Sequence, residues 1–238
     1  FMTEPNIAIV IPTYNERDTI GPLVKQIIGL AIPNLSIIIV DDNSPDNTGT
    51  VAAELARENY ETVHLINRAR KMGLGPAYIE GFEYALRHDA DLIFEMDADG
   101  SHKPEHIPEF LAKIKEFDLV LGSRYIPGGR IENWDPLRRL ISRFGNVYAR
   151  IVLGLPIKDL TSGFKCYRRK VLEAIGLGQL SSVGYVFQIE TTFKAVRAGC
   201  TVHETPIVFT ERKKGASKFN LKIFLESFVK VLLLRLRG

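Results

Sequence analysis

The sequence predicts an α/β fold in which helices flank a mostly parallel β-sheet. Short apolar runs rich in β-branched residues alternate with helix-like stretches, which is typical of parallel strands joined by helices. The runs are nearly continuous in apolarity, as expected of strands covered on both faces. Polar clusters follow directly after the runs, where open α/β sheets bind their ligands.

Each element follows from its local pattern. The predicted strands are Ile7–Ile11, Ile37–Val40, Val63–Ile66, Leu92–Met96 and Leu119–Leu121. Helices are predicted near residues 18–30, 48–59, 75–87 and 105–116, with Thr48 and Pro104 as start signals. A basic amphipathic helix is predicted over residues 137–153, and a second amphipathic stretch near the C-terminal end.

Composition sets limits on the class of protein. A chain of 238 residues that is 45% hydrophobic and 25% charged can build a globular core. The net charge of +3 is too small to name a partner, and no nucleic-acid partner is expected. Cys166 and Cys200 lack metal-ligand spacing, which favours a reduced, cytosolic protein. No segment reaches the roughly 20 uncharged apolar residues of a membrane span.

The most informative motif is an acidic turn after the Leu92–Met96 run. Asp97 and Asp99 flank one small residue there, so both carboxylates can share one hard divalent cation. Mg²⁺ commonly takes one or two carboxylates together with substrate phosphates. The turn therefore indicates a metal-held diphosphate, and an ordinary acidic surface turn is the alternative.

Two further loops are predicted at the same edge of the sheet. They are residues 12–16, with sequence PTYNE, and residues 41–46, with sequence DDNSPD. The Tyr14 ring can stack on a nucleobase, and the Asp42 carboxylate can accept hydrogen bonds from a base or ribose. Each loop alone is explained by ordinary turn chemistry, but together with the acidic turn they favour a nucleotide site.

The two amphipathic helices have two interpretations. In the first helix an apolar stripe lies beside arginines, and the second repeats the arrangement with lysines. The residues are Leu137, Leu140, Ile141, Phe144, Tyr148 and Ile151 with Arg138, Arg139, Arg143 and Arg150, and then Leu221, Phe224, Leu225, Phe228 and Leu232 with Lys222, Glu226 and Lys230. Core packing would explain both stripes. Burial in a membrane interface, with the basic residues at lipid phosphates, is the interpretation we favour.

A concentrated basic loop, residues 212–218 with sequence RKKGASK, has a similar ambiguity. A solvated charge run is the usual case. The small residues in the loop also suit a mobile lid that closes over a phosphate ligand, and the other motifs favour this second interpretation.

Ordered motifs along nearly the whole chain resemble glycosyltransferase family 2, and more narrowly the polyprenol (dolichol) phosphate mannose synthases. The matching stretches are PTYNE (12–16), VDDNSPDNTG (40–49), GLG (73–75), EMDADGSHKPE (95–105), GSRYIPGG (122–129), NW (133–134), RRLIS (138–142), DLTSGFKCYRR (159–169), GYVFQIE (184–190) and TERKKGASK (210–218). Each motif alone is weak, and the ordered set is specific for this family.

The resemblance implies one GT-A type, Rossmann-like catalytic domain spanning residues 1–238. Within it, residues 1–125 would form the nucleotide-sugar half, residues 126–218 the acceptor half, and residues 219–238 an amphipathic interface helix. The implied donor is GDP-mannose, the implied acceptor is a polyprenyl or dolichyl phosphate, and the implied cofactor is Mg²⁺ or Mn²⁺. Transfer would invert the anomeric configuration; a glucosyltransferase that uses UDP-glucose is the alternative.

The resemblance also assigns residues to roles. By similarity, the donor-binding residues are Pro12, Tyr14, Glu16, Val40, Asp42, Asp97, Ala98, Asp99, Arg212 and Lys218; the acceptor-binding residues are Arg124, Arg138 and Ser142; the metal ligands are Asp97, Asp99 and Ser101; and the catalytic residues are Asp97, Asp99, Arg124 and Arg212. Some relatives carry a longer Gln where Ser101 stands, so water is an alternative ligand there.

The implied location is the cytoplasmic face of a membrane, as a peripheral protein of the prokaryotic cell membrane or the eukaryotic endoplasmic reticulum. Many relatives continue into C-terminal transmembrane helices, whereas this sequence ends at Gly238. Three anchoring routes follow as expectations: the amphipathic helices alone, a membrane-anchoring partner subunit, or a longer natural chain.

Overall fold

The fold is seen in a computed structural model, which describes residues 4–180, 182, 184–210 and 221–237, without the side chains of 221–227 and 237. The strands are β1 Ile7–Thr13, β2 Leu35–Asp41, β3 Val63–Asn67, β4 Leu92–Glu95, β5 Leu119–Ser123, β6 Arg130–Glu132, β7 Lys165–Arg168, β8 Val202–Pro206 and β9 Val208–Thr210. The helices are α1 Arg17–Ile28, α2 Thr48–Glu58, α3 Leu74–Arg87, α4 Ile107–Lys113, α5 Pro136–Leu153, α6 Arg169–Ile175, α7 Tyr185–Arg197 and α8 Leu221–Arg237.

Seven strands form the main sheet in the order β3-β2-β1-β4-β7-β5-β8. Strands β1 to β4 run parallel to one another, and β5 runs parallel to β8. Strand β7 is antiparallel to both β4 and β5. The five predicted strands and the mostly parallel sheet are confirmed, whereas β6 to β9 were not predicted.

Each strand of the sheet's centre buries residues on both faces. In β1, Ile9 and Ile11 pack in one cluster with α1, α2 and α4, whereas Ala8 and Val10 pack in another with α3, α6 and α7. All four side chains are at most 1% exposed. This two-sided burial explains why the sequence of β1 shows an unbroken apolar run instead of alternation.

Helix α5 lies outside these two layers and packs against α8. The inner side of α5 contributes Ala149 and Leu153 to a third apolar cluster, which also contains Phe193 of α7 and Val231 of α8. The Tyr148 hydroxyl donates to the Phe228 carbonyl at 3.0 Å and ties the two helices together. The described helices include none that is long and apolar enough to cross a bilayer.

Candidate active site

The loops that follow β1 and β2 meet at the carboxyl edge of the sheet, as predicted. The Asn15 amide donates to Ser44 Oγ at 3.1 Å, and the Glu16 amide donates to Thr48 Oγ1 at 2.9 Å. Asn15 has a φ of 62°, a left-handed conformation that asparagine tolerates better than most residues. The two polar loops therefore form one continuous surface.

The predicted nucleoside-binding residues lie on or under this surface. Pro12 and Val40 are register partners in β1 and β2, and the Val40 side chain is fully buried, so only its backbone can reach a ligand. Tyr14 is half-buried, and the Lys71 ammonium lies 3.6 Å from the centre of its ring. A base that stacks on this face of Tyr14 would displace Lys71.

Asp42 has a structural role that the sequence did not indicate. Its Oδ1 accepts from Arg68 Nη1 at 2.6 Å, and its Oδ2 accepts from the Met72 and Gly73 amides at 3.0 Å each. These bonds hold the loop that leads into α3. Any contact of Asp42 with a base would add to this anchoring role.

The acidic turn follows β4 at the same edge. Asp97 and Asp99 are half-buried, and Ala98 between them is 3% exposed. The Tyr78 hydroxyl donates to Asp97 Oδ1 at 2.9 Å, and the Ser101 amide donates to Asp99 Oδ1 at 3.0 Å. Burial, followed by the Asp97 charge, raises the pKa of Tyr78 well above its ordinary value, so the hydroxyl keeps its proton.

The donor set of this turn fits a hard divalent cation. Ser101 Oγ is buried without a hydrogen-bond partner among the described residues, and the backbone amide of the same residue bonds Asp99. No three His, Cys, Asp or Glu side chains come together as a metal site in the described part of the chain. A cation held by Asp97, Asp99 and Ser101 would therefore complete its shell with substrate phosphates and water, as Mg²⁺ usually does.

His102 stabilises the acidic turn as a neutral ring that bonds the turn's backbone. Its Nδ1 accepts from the Asp97 amide at 3.1 Å, and the ring stacks on Phe164 with centroids 5.1 Å apart. Burial lowers the pKa of His102 from 6.5 to about 4. Protonation of Nδ1 would remove this acceptor, so the turn requires the neutral form.

We expect acid to destabilise the fold through His102. The unfolded ring binds a proton near pH 6.5 and the folded ring only near pH 4, so unfolding takes up a proton between these values. Stability should fall by about 2–3 kcal/mol between pH of about 7 and about 4.5. Urea unfolding of the wild type and His102→Asn at both values checks this, because the variant should lose that much less. An equal loss in both proteins would contradict the assignment.

A buried polar network lies under the turn. Lys165 Nζ donates to the Gln188 carbonyl and side-chain oxygens at 2.8 Å each and to Thr191 Oγ1 at 3.0 Å, and the Tyr167 hydroxyl donates to Glu95 Oε2 at 2.8 Å. Burial lowers the pKa of Lys165 to about 8 and raises the pKa of Glu95 above its ordinary value. The network places a buried positive charge within electrostatic reach of Asp97.

The three predicted acceptor residues lie in one cluster. Arg124 is only 8% exposed, and its guanidinium lies 5.7 Å from the Trp134 ring, which Arg138 also covers at 4.1 Å. Ser142 accepts at 2.7 Å from the hydroxyl of Tyr125, whose ring lies 5.4 Å from the Arg124 guanidinium. The structure therefore brings Arg124, Arg138 and Ser142 together through two aromatic rings.

Asp159 neutralises Arg124. Its Oδ2 accepts from Arg124 Nε at 2.7 Å and from the Arg124 amide at 2.9 Å, and its Oδ1 accepts from Nη2 at 2.7 Å. Burial alone would lower the pKa of Arg124, but the Asp159 carboxylate outweighs it and raises that pKa. Thr161 Oγ1 also accepts from Nη2, at 2.8 Å. Arg124 is thus held in one orientation.

Phe209 of β9 joins the acidic turn to the arginine cluster. Its ring lies 5.6 Å from the His102 ring and 5.2 Å from the Arg124 guanidinium. The Thr210 amide donates to the Ser101 carbonyl at 3.3 Å, which fixes the end of β9 at the turn. The predicted ligands Arg212 and Lys218 lie outside the described residues.

Several site residues carried no sequence signal of their own. Asp159, Thr161 and Trp134 stand in motifs that resemble the family, yet their pattern gave them no role. Asp159 and Thr161 lie more than 30 residues after Arg124 in sequence, and Trp134 lies ten residues after it. Periodicity cannot indicate contacts of this kind.

This combination of a mostly parallel sheet and an acidic turn at its carboxyl edge is that of GT-A glycosyltransferases. Residues 8–176 match the family described as Glycosyl transferase family 2. The chain belongs to glycosyl transferase family 2, and it is an enzyme of the glycosyltransferase class. The resemblance found in the sequence is confirmed.

Two curated relatives are similar over most of this chain. The polyprenol monophosphomannose synthase of Mycolicibacterium smegmatis is 45% identical over 97% of this chain and 87% of its own length. The undecaprenyl-phosphate mannosyltransferase of Micrococcus luteus is 44% identical over 94% of this chain and 92% of its own length.

Solved structures confirm the fold. A mannosyltransferase from Pyrobaculum calidifontis, in complex with GDP-Man and Mn²⁺, has a TM-score of 0.68 at 16% identity; the match covers 99% of this chain and 65% of that one, just under two thirds of its length. Mannosyl-3-phosphoglycerate synthase from Rubrobacter xylanophilus has a TM-score of 0.72 at 19% identity, covering 98% of this chain and 74% of that one.

Proposed function

We propose that this enzyme transfers mannose from GDP-mannose to a polyprenyl or dolichyl phosphate, with inversion at the anomeric carbon and with Mg²⁺ or Mn²⁺ as cofactor. The observation that carries the proposal is the pair of phosphate-binding candidates on either side of Phe209, the acidic turn and the arginine cluster. The names and the high identity of the two curated relatives support transfer of mannose to a polyprenyl phosphate.

The donor would bind at the loops after β1, β2 and β4. Tyr14, Glu16 and the backbone of Pro12 and Val40 would surround the guanosine, and Asp97, Asp99 and Ser101 would hold the cation. The bound cation would neutralise charge that develops on the leaving diphosphate. Arg212 and Lys218 would add positive charge to the same phosphates.

The acceptor phosphate would bind at Arg124, Arg138 and Ser142. Hydrogen bonds to Asp159 and Thr161 use Nε and Nη2 of Arg124. We propose Nη1 as the group that donates to the acceptor phosphate. A phosphate monoester is largely ionised near neutral pH, so its oxygen can attack the sugar without a general base. Attack opposite the leaving GDP would convert an α-linked donor into a β-linked product.

A polyprenyl phosphate acceptor would place the enzyme at a membrane interface, which we propose to be the cytoplasmic face. The apolar stripe of α5 points away from the protein core: Leu137, Leu140, Phe144 and Ile151 are 65%, 65%, 58% and 71% exposed. In α8, Leu232 and Leu236 are 48% and 74% exposed. Exposed apolar side chains beside arginines suit lipid tails and headgroup phosphates.

The substrates are tested by incubation with GDP-mannose, Mg²⁺ and short polyprenyl phosphates, followed by mass spectrometry of the lipid phase. The expected product is a polyprenyl phosphate one hexose heavier, together with released GDP. A parallel reaction with UDP-glucose separates the proposed donor from the alternative. Transfer from UDP-glucose alone would contradict the proposal.

We expect Leu140→Glu and Ile151→Glu together to weaken binding to anionic vesicles by about 100-fold, since each exposed aliphatic side chain contributes about 1.5 kcal/mol or more on burial. Vesicle sedimentation measures the change. Tyr60→Glu is the matched control, because Tyr60 is 73% exposed but precedes β3 at the opposite edge of the sheet. Equal loss in both proteins, or none in either, would contradict the role of α5.

A further inference from the structure

Tyr78 of α3 bonds the acidic turn through its hydroxyl. Its hydroxyl donates to Asp97 Oδ1 at 2.9 Å, and the residue is otherwise fully buried. The ring lies between Phe82 and Phe187, with centroids 5.7 and 5.9 Å away and interplanar angles of 25° and 4°. The hydroxyl therefore reaches the carboxylate from an apolar stack that fixes the direction of the ring.

The helix that carries Tyr78 is itself closely held. A Cβ at Gly75 would lie 2.8 Å from the Ser182 carbonyl and 3.0 Å from the Phe187 ring, so α3 approaches this segment as only glycine allows. A Cβ at Gly81 would collide with Val10 of β1. Close contacts on both sides leave α3 little room to shift, and the Tyr78 hydroxyl is a rigid reference point for Asp97.

The other oxygen of Asp97 is confined as well. A Cβ at Gly163 would lie 3.3 Å from Asp97 Oδ2 and 3.2 Å from Gln188 Nε2. Lys165, which can only donate, bonds Gln188 Oε1 and so fixes the orientation of that amide. The carboxylate of Asp97 is thus bonded by Tyr78 of α3 on one oxygen and lies close to Gly163, in the segment before β7, on the other.

We propose that Tyr78 is a positioning residue for the divalent cation: its hydroxyl orients the Asp97 carboxylate before the metal binds. This inference rests on the proposed function, in which Asp97 is a metal ligand. A carboxylate on a turn can rotate about its terminal torsion, and metal binding must then select one orientation. A hydrogen bond from a buried donor removes that cost, and loss of such a partner typically weakens metal binding about 10- to 100-fold.

The test compares Tyr78→Phe with Tyr167→Phe. Tyr167 is the matched control because it is equally buried, and its hydroxyl also donates to a carboxylate, Glu95, at 2.8 Å. Each variant loses one buried hydroxyl and keeps its ring. Mn²⁺ binding, with and without GDP, is measured from the electron paramagnetic resonance signal of free Mn²⁺, and transferase activity is measured against Mn²⁺ concentration.

We expect the Mn²⁺ dissociation constant of Y78F to rise about tenfold or more and that of Y167F to stay unchanged. At saturating Mn²⁺, kcat of Y78F should approach the wild-type value. Binding of Y78F equal to wild type, an equal weakening in Y167F, or a Y78F protein that does not fold even with excess Mn²⁺ and GDP would each overturn the inference. A wild-type chain that binds no Mn²⁺ either with or without GDP would instead remove the metal from the proposed function.

Discussion

Asp97→Asn should reduce mannosyl transfer by roughly 100- to 1,000-fold, the cost of losing one group that stabilises developing charge in a transition state. The amide keeps an oxygen that can accept from the Tyr78 hydroxyl, as Asp97 Oδ1 does at 2.9 Å in the wild type. The fold should therefore survive while the negative charge needed for a cation is lost. Radiolabel transfer to the lipid phase, measured across a range of Mg²⁺ concentrations, checks the prediction.

Asp89→Asn is the matched control for this variant. Asp89 has a φ of 53° in the turn before β4, a conformation that Asn also tolerates, and it lies at the opposite end of that strand from Asp97. The control removes the same charge and should leave transfer unchanged. Full activity of Asp97→Asn, or full activity of the wild type in excess EDTA, would argue against the metal site.

The acidic turn and the strands around it could be predicted because their signal is local. Buried parallel strands such as β1 and β2 require apolar residues at successive positions, and such runs are visible in one short window of sequence. Polar turn residues directly after such a run indicate the carboxyl edge of the sheet. Asp97 and Asp99 could therefore be placed at the carboxyl edge of the sheet without knowledge of distant contacts.

Strand β7 could not be predicted, because its sequence places charged residues in the centre of the sheet. Lys165 is fully buried, and its ammonium group donates to Gln188 and Thr191, which lie more than 20 residues later. Helix α7 is buried around most of its circumference, including the polar Gln188 and Thr192, so it lacks an amphipathic stripe. In both elements tertiary contacts override the local pattern.

The orientation of the amphipathic helices was also decided by the fold. The sequence of α5 allowed either core packing or membrane burial, because one apolar stripe serves both. The structure packs Asn146, Ala149 and Leu153 inward and leaves the predicted stripe, with Phe144, largely outside. Core packing explains Tyr148, which packs on Phe228, but not the exposed Leu137, Leu140 and Ile151. For α8, the side chains of residues 221–227 lie outside the described part of the chain.

Asp159→Ala should lower the free energy of unfolding by about 3–5 kcal/mol, because it leaves the Arg124 charge buried without a partner. Asp159 is fully buried, and it accepts two side-chain hydrogen bonds at 2.7 Å from a guanidinium that is itself 8% exposed. Urea unfolding near neutral pH measures the loss. Glu173→Ala is the control: it breaks an exposed pair with Arg169, which should cost at most about 0.5 kcal/mol.

A double variant separates the stability of this pair from its function. Arg124→Met with Asp159→Leu replaces both charges by apolar groups and should recover much of the stability that Asp159→Ala loses, since a buried pair often contributes little net energy. Transfer should stay low in the double variant, because the proposed phosphate donor Arg124 is gone. Restored stability of the double variant together with wild-type use of the acceptor would contradict the role of Arg124. A loss of less than about 1 kcal/mol in the unfolding free energy of Asp159→Ala would contradict the argument that it isolates a buried charge.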